Sequence, residues 1–186
     1  MTKFGHVQLN RFKHLNLKID QEQFLQSVIP FAQYIQSEII LKAEDMDDPV
    51  ITNHGVFSSI LAGQMVVLSD WGTAPEAQDR LREMADGKET WVHGNNLARL
   101  EADEWWLKYC DVIKLGDKIY KSYKDWSCFA IDWSDLYSWR TEMEEILKCS
   151  KVKTQLKLLS SRQPQPDDHY DKVLEVIINF KLWEFD

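Results

Sequence analysis

Lys151-Val-Lys-Thr-Gln-Leu-Lys-Leu158 alternates polar and apolar residues, and residues 174–182 repeat the pattern with Leu174, Val176, Ile178, Phe180 and Leu182. Period two is the spacing of a strand with one buried face, because successive side chains point to opposite sides. Gln163-Pro-Gln-Pro-Asp-Asp168 lies between the two stretches and reads as a loop. The two are therefore expected to pair antiparallel. Val7 and Leu9, then Leu15, Leu17 and Ile19, alternate in the same way and offer an N-terminal strand beside them.

The middle of the chain has a different period. Asp20 reads as an N-cap with Gln23 as its capping-box partner. Phe24, Val28, Phe31, Ile35 and Ile39 then recur at spacings of three and four, one face of a helix. Pro30 falls inside this pattern and is expected to kink or split the helix, since proline lacks an N–H for the ladder. A second helix is expected over 53–68. A third starts at Thr73-Ala-Pro-Glu76, where Thr73 caps, Pro75 sits in the first turn and Glu76 closes the box. Two more run over 95–115 and from Ser134, with a short buried strand, Trp126 to Asp132, between them. The expected fold is α+β: a helical middle packed on a small, mainly antiparallel sheet formed by N- and C-terminal strands. With 186 residues and no linker-like stretch, it is expected to be one globular domain, 1–186.

The composition sets limits on function. No apolar run approaches the ~20 residues of a membrane span. The N-terminal residues show no apolar signal core, and Cys110, Cys128 and Cys149 are odd in number and widely spaced. A cytoplasmic protein with free thiols is expected. The net charge is −8, and residues 20–113 hold seventeen acids against six bases. Such a stretch repels nucleic acid and anionic membranes and attracts basic partners.

Motifs for phosphate, dinucleotide and zinc sites are absent, as are the G-x-S-x-G and EF-hand patterns. No cofactor, metal or catalytic residue is assigned. Asp167-Asp-His-Tyr-Asp171 gathers metal-ligand types in five residues, but Asp-rich loops commonly serve as turns. His93, in Trp91-Val-His-Gly-Asn-Asn96, is the most site-like histidine. Its ordinary pKa suits proton transfer, although no partner carboxylate can be named from sequence.

Eight tryptophans are the main compositional signal. Trp105 and Trp106 are adjacent on an expected helix, where neighbours point ~100° apart and cannot share one buried face. Acidic Glu83, Glu101, Asp103 and Glu104 surround them in sequence. Exposed aromatics anchor interfaces and acids steer basic partners. The leading expectation is therefore a protein-binding module, an inhibitor or immunity-type neutraliser of a cytoplasmic protein with a basic surface. Its expected contact residues are Trp105, Trp106, Glu101, Asp103, Glu104 and Glu83. One alternative is a small enzyme without a marked motif, using His93 or His169 with acids such as Asp168. Another is a nucleic-acid mimic, or a binder through Lys114, Lys118, Lys121 and Lys124, where basic and aromatic residues interleave.

Overall fold

The computed structural model describes residues 19–44, 55–83, 89–138, 143–162 and 167–186. The expected N-terminal strand lies outside them, apart from Ile19. Helices α1 (Ile19–Glu44) and α2 (Ser58–Leu68) come first. Two antiparallel hairpins follow, β1 (Arg80–Glu83) with β2 (Glu89–Val92), and β3 (Val112–Leu115) with β4 (Lys118–Lys121). Helix α3 (Glu104–Tyr109) lies between the hairpins, and α4 (Trp126–Ser138), α5 (Glu144–Leu147), α6 (Val152–Arg162) and α7 (His169–Asn179) close the chain. The fold is α+β, as expected, but the strands among the described residues are central in sequence.

The chain forms two compact units. One is Met1–Val67 with Ile131–Asp186, and the other is Leu68–Ala130. In the first, α1 buries Val28, Phe31, Ile35 and Ile39, the stripe its sequence spells out. Pro30 is accommodated inside a continuous helix. Helix α2 is apolar around most of its circumference and buries every residue from Ser58 to Val66, the mark of a central core helix. Gly63 is what lets α7 pass so near. A Cβ there would meet Val173 Cγ1 at 3.0 Å and Ile177 Cγ1 at 3.3 Å.

The two expected C-terminal strands are the helices α6 and α7. In α7 the buried residues are His169, Val173 and Ile177, spaced by four, while Ile178 is exposed. In α6 they are Gln155, Leu156 and Leu159. An apolar run this dense satisfies both periods, and burial against α2 selects the helical one. The expected strand at Trp126–Asp132 is likewise the start of α4. Asp125 caps it by accepting from Cys128 N–H at 2.9 Å.

Two side-chain anchors fix the first unit. Asp186 accepts from Ser59 N–H (2.7 Å), Ser59 Oγ (2.7 Å) and Ser58 Oγ (3.1 Å), so a carboxylate sits on the positive end of α2. Gln155 is wholly buried. Its Oε1 accepts from Phe57 N–H at 2.9 Å, and its Nε2 donates to the carbonyls of Gly55 (2.8 Å) and Ile146 (2.9 Å).

The second unit is built from short pieces. Of the helix expected over 95–115, only α3 forms. Asp103 caps it through Trp106 N–H at 2.8 Å. Gly116, just past that expected span, turns the β3–β4 hairpin with φ +60°. Val92, Ile113 and Tyr120 make its apolar cluster, with Leu115 packed against them.

Replacing Gln155 with Leu removes three buried hydrogen bonds to the backbone; of the groups it leaves, the Ile146 carbonyl keeps a second partner, Cys149 N–H. The substitution should cost about 2–4 kcal/mol. In urea unfolding it should lower the midpoint at an unchanged m-value.

Candidate functional site

The second unit presses two chain segments together, 76–79 and 93–99. Asn96 N–H donates to the Glu76 carbonyl and Asn95 N–H to the Ala77 carbonyl, both at 3.1 Å. Gly94 N–H donates to Asp79 Oδ1 at 2.9 Å. The approach at Gly94 leaves no room for a side chain, since a Cβ would come within 2.4 Å of the Gln78 backbone. Asn96 is wholly buried and ties the clamp to its neighbours. Its Nδ2 donates to the carbonyls of Leu100 (2.9 Å) and Lys121 (3.0 Å), and its Oδ1 accepts from Leu100 N–H (2.9 Å). Asn95 Nδ2 reaches the Tyr123 carbonyl at 2.9 Å.

Each end of the clamp carries a charge pair. At one end, His93 Nδ1 stands 3.3 Å from Asp79 Oδ2, and both side chains are about half exposed. Ser122 Oγ donates to the His93 carbonyl at 2.6 Å, so the backbone under the imidazole is held as well. A histidine with one ring nitrogen on a carboxylate and an accessible ring is equipped to take up and deliver protons. Sequence singled out His93, and the structure supplies its partner, Asp79.

At the other end, Arg99 Nε lies 2.6 Å from Glu76 Oε1. Glu76 is fully buried, and neither of its oxygens accepts an aligned hydrogen bond among the described residues, so the contact is an ion pair. Breaking such a pair by removing the cation costs about 3–5 kcal/mol. Glu76 was expected to close a capping box with Thr73. The structure corrects this: Pro75–Ala77 is a single 3-10 turn with no side-chain cap, and the carboxylate turns inward to Arg99. Asp70, Trp71 and Gly72, just upstream, have φ of 46°, 58° and 76°. This left-handed run is pinned by Gly72 N–H on Ser69 Oγ (2.8 Å) and Thr73 Oγ1 on the Asp70 carbonyl (2.6 Å).

The expected contact residues are partly brought together. On α3, Trp105 is 60% exposed and Tyr109 61%, and their rings lie 5.3 Å apart. Trp106 is turned inward. Its indole N–H donates to the Asp111 carbonyl at 3.0 Å, its ring meets Tyr123, and Lys121 Nζ lies 4.6 Å over it. Asp103 is committed to capping α3, and Glu101 pairs with Lys118 Nζ at 2.5 Å. Glu104 begins α3, and Glu83 lies in β1 opposite Glu89.

His169 belongs to the first unit and is 2% exposed, with Nε2 lacking a hydrogen-bond partner among the described residues. Burial holds its pKa below the ordinary value, against the opposing pull of Asp168. Asp168 itself pairs with Lys172 at 2.6 Å. His169 is a core residue of α7. Among the described residues, no three His, Cys, Asp or Glu side chains converge to hold a metal ion. No helix there is long and apolar enough to cross a membrane.

No protein-family model matches the sequence, and no curated relative was found. The fold does have a counterpart among solved structures. The catalytic domain of the autolysin Auto from Listeria monocytogenes superposes with a TM-score of 0.59 at 13% identity, over 98% of each chain. At that identity the likeness establishes the fold. It overturns the expectation of an inhibitor or immunity-type neutraliser, since the chain follows a catalytic-domain fold from end to end. Composition misled because acids and aromatics that suggested docking serve internal contacts, as Glu76, Asp103 and Trp106 show.

His169 also gives stability a pH dependence. Its folded pKa is lowered, so below about 6.5 the unfolded chain takes up a proton that the folded chain refuses. Stability should therefore fall as pH drops from 7 toward 5. Urea midpoints at both values should show a smaller fall in His169→Leu than in the parent.

Proposed function

We propose that the chain is a lytic hydrolase, as the autolysin is, and that it cleaves a glycan polymer. The observation that carries this reading is the His93–Asp79 pair, half exposed and held by the clamp, on the fold of a catalytic domain. With Nδ1 against Asp79, Nε2 is left for the substrate. As the imidazolium, the ring gives its Nε2 proton to the leaving oxygen as the old C–O bond breaks. Water attacks the opposite face of the sugar and releases its proton to solvent, from which the ring is reprotonated. Asp79 stabilises the imidazolium and fixes the ring's orientation.

Trp105 and Tyr109 support the substrate class. Two exposed aromatic rings, tilted by 45° at 5.3 Å, offer a platform on which the apolar faces of successive sugar rings can stack.

The test is the clearing of a suspension of purified bacterial cell walls, followed by turbidity and by release of reducing sugar. The parent chain should clear it. His93→Ala should slow clearing at least ~100-fold, the usual range for losing an acid–base group. Asp79→Asn should slow it less, and Trp105→Ala should raise KM more than it lowers kcat. No release of reducing sugar from either Gram-positive or Gram-negative walls would sink the proposal.

A further inference from the structure

We propose that Arg99 is an anion-recognition residue that takes a carboxylate carried by the polymer. The inference rests on the glycan reading for its ligand class but not on catalysis. The Arg99–Glu76 pair is asymmetric: the carboxylate is 1% exposed and the guanidinium 49%. The half of the guanidinium that faces water is open to a second anion. Arg99 is nevertheless fixed on three sides. Nε meets Glu76 Oε1 at 2.6 Å, Nη2 donates to Tyr120 Oη at 3.3 Å, and the guanidinium carbon lies 5.7 Å from the Tyr120 ring centre. These contacts leave Nη1 and the outer edge of the fork, the donor geometry that matches a planar carboxylate.

The backbone adds a second argument. Arg99 has φ +54°, a left-handed conformation unfavourable for a side-chain-bearing residue. Strain of this kind persists where the surroundings over-determine it, which happens at ligand clamps. Arg99 also lies on the same short segment as His93, at the far end of the clamp. A polymer held at one pair has the other within the same small unit. The cation arrives oriented, so little side-chain entropy remains to be lost on binding.

The experiment is co-sedimentation of the full chain with insoluble cell-wall polymer. One preparation is left native, and the other has its carboxylates converted to amides with carbodiimide and ammonia. The parent should bind the native polymer about tenfold more tightly, the effect of one charge-assisted contact. Arg99→Lys keeps Glu76 neutralised but loses the fork. It should bind both preparations at the level the parent shows for the amidated one. Should that variant fail to fold by circular dichroism, the neutral pair Glu76→Gln with Arg99→Gln replaces it, with the same expectation. Equal binding of both polymers by the parent, binding of neither, or a preference that survives in the variants would overturn the proposal. Binding without clearing would instead leave the subsite standing and remove the hydrolase.

Discussion

The second unit depends on a single buried amide. Its backbone over 93–100 is neither helix nor ladder, so its polar groups need partners from elsewhere. Asn96 answers for three of them, the Leu100 N–H and the carbonyls of Leu100 and Lys121. Once that loop is drawn inward, Asn95 and Asn96 N–H can reach the 76–77 carbonyls, and Gly94 is brought hard against Gln78. The two charge pairs exist because the two segments are held at this distance. Gln155 does the same work in the first unit, joining Gly55, Phe57 and Ile146. Each unit thus has one carboxamide whose replacement by an apolar side chain would remove three buried hydrogen bonds to the backbone.

This reorders the meaning of the net charge. Seventeen acids over residues 20–113 look like a steering field when counted along the chain. In space they divide into distinct tasks. Glu76 is buried against Arg99, Asp103 caps α3, Asp79 orients His93, and Glu101 offsets Lys118. A carboxylate held in a cap or an ion pair contributes little to the distant potential, so linear charge density overstated the attraction toward a basic partner.

The parts of the fold legible in sequence are those with one dominant local signal. The α1 stripe is five apolar residues on a single period, and burial follows it from Val28 to Ile39. His93 stood out because a histidine among Gly and Asn leaves the regular elements and reaches the surface. The rest was hidden by competing signals. Residues 173–182 contain an alternating set and a set spaced by four, and only the presence of α2 at Gly63 decides between them. Asp125 could have marked the start of α4, but the apolar run after it read as a strand. Asp79 and Arg99 carry no local signature, because their roles arise from contacts spanning fifteen or more residues, as Gly94 with Asp79 does.

Backbone strain follows the same geography. Of the five non-glycine residues with positive φ among the described residues, Asp70, Trp71, Asn95 and Arg99 belong to the second unit, and only Lys181 to the first. Asn95 and Arg99 belong to the clamp, and Asp70 and Trp71 lie in the turn upstream of it. A left-handed side-chain-bearing residue is retained only where its neighbours forbid relaxation. Here the hydrogen bonds at Ser69, Asp70 and Asn95 and the ion pair at Arg99 forbid it. The strain and the rigidity of the clamp are therefore one property. The hydrogen bonds from Asn95 and Asn96 to the 76–77 carbonyls fix the span between His93 and Arg99, the span on which the proposed polymer site relies.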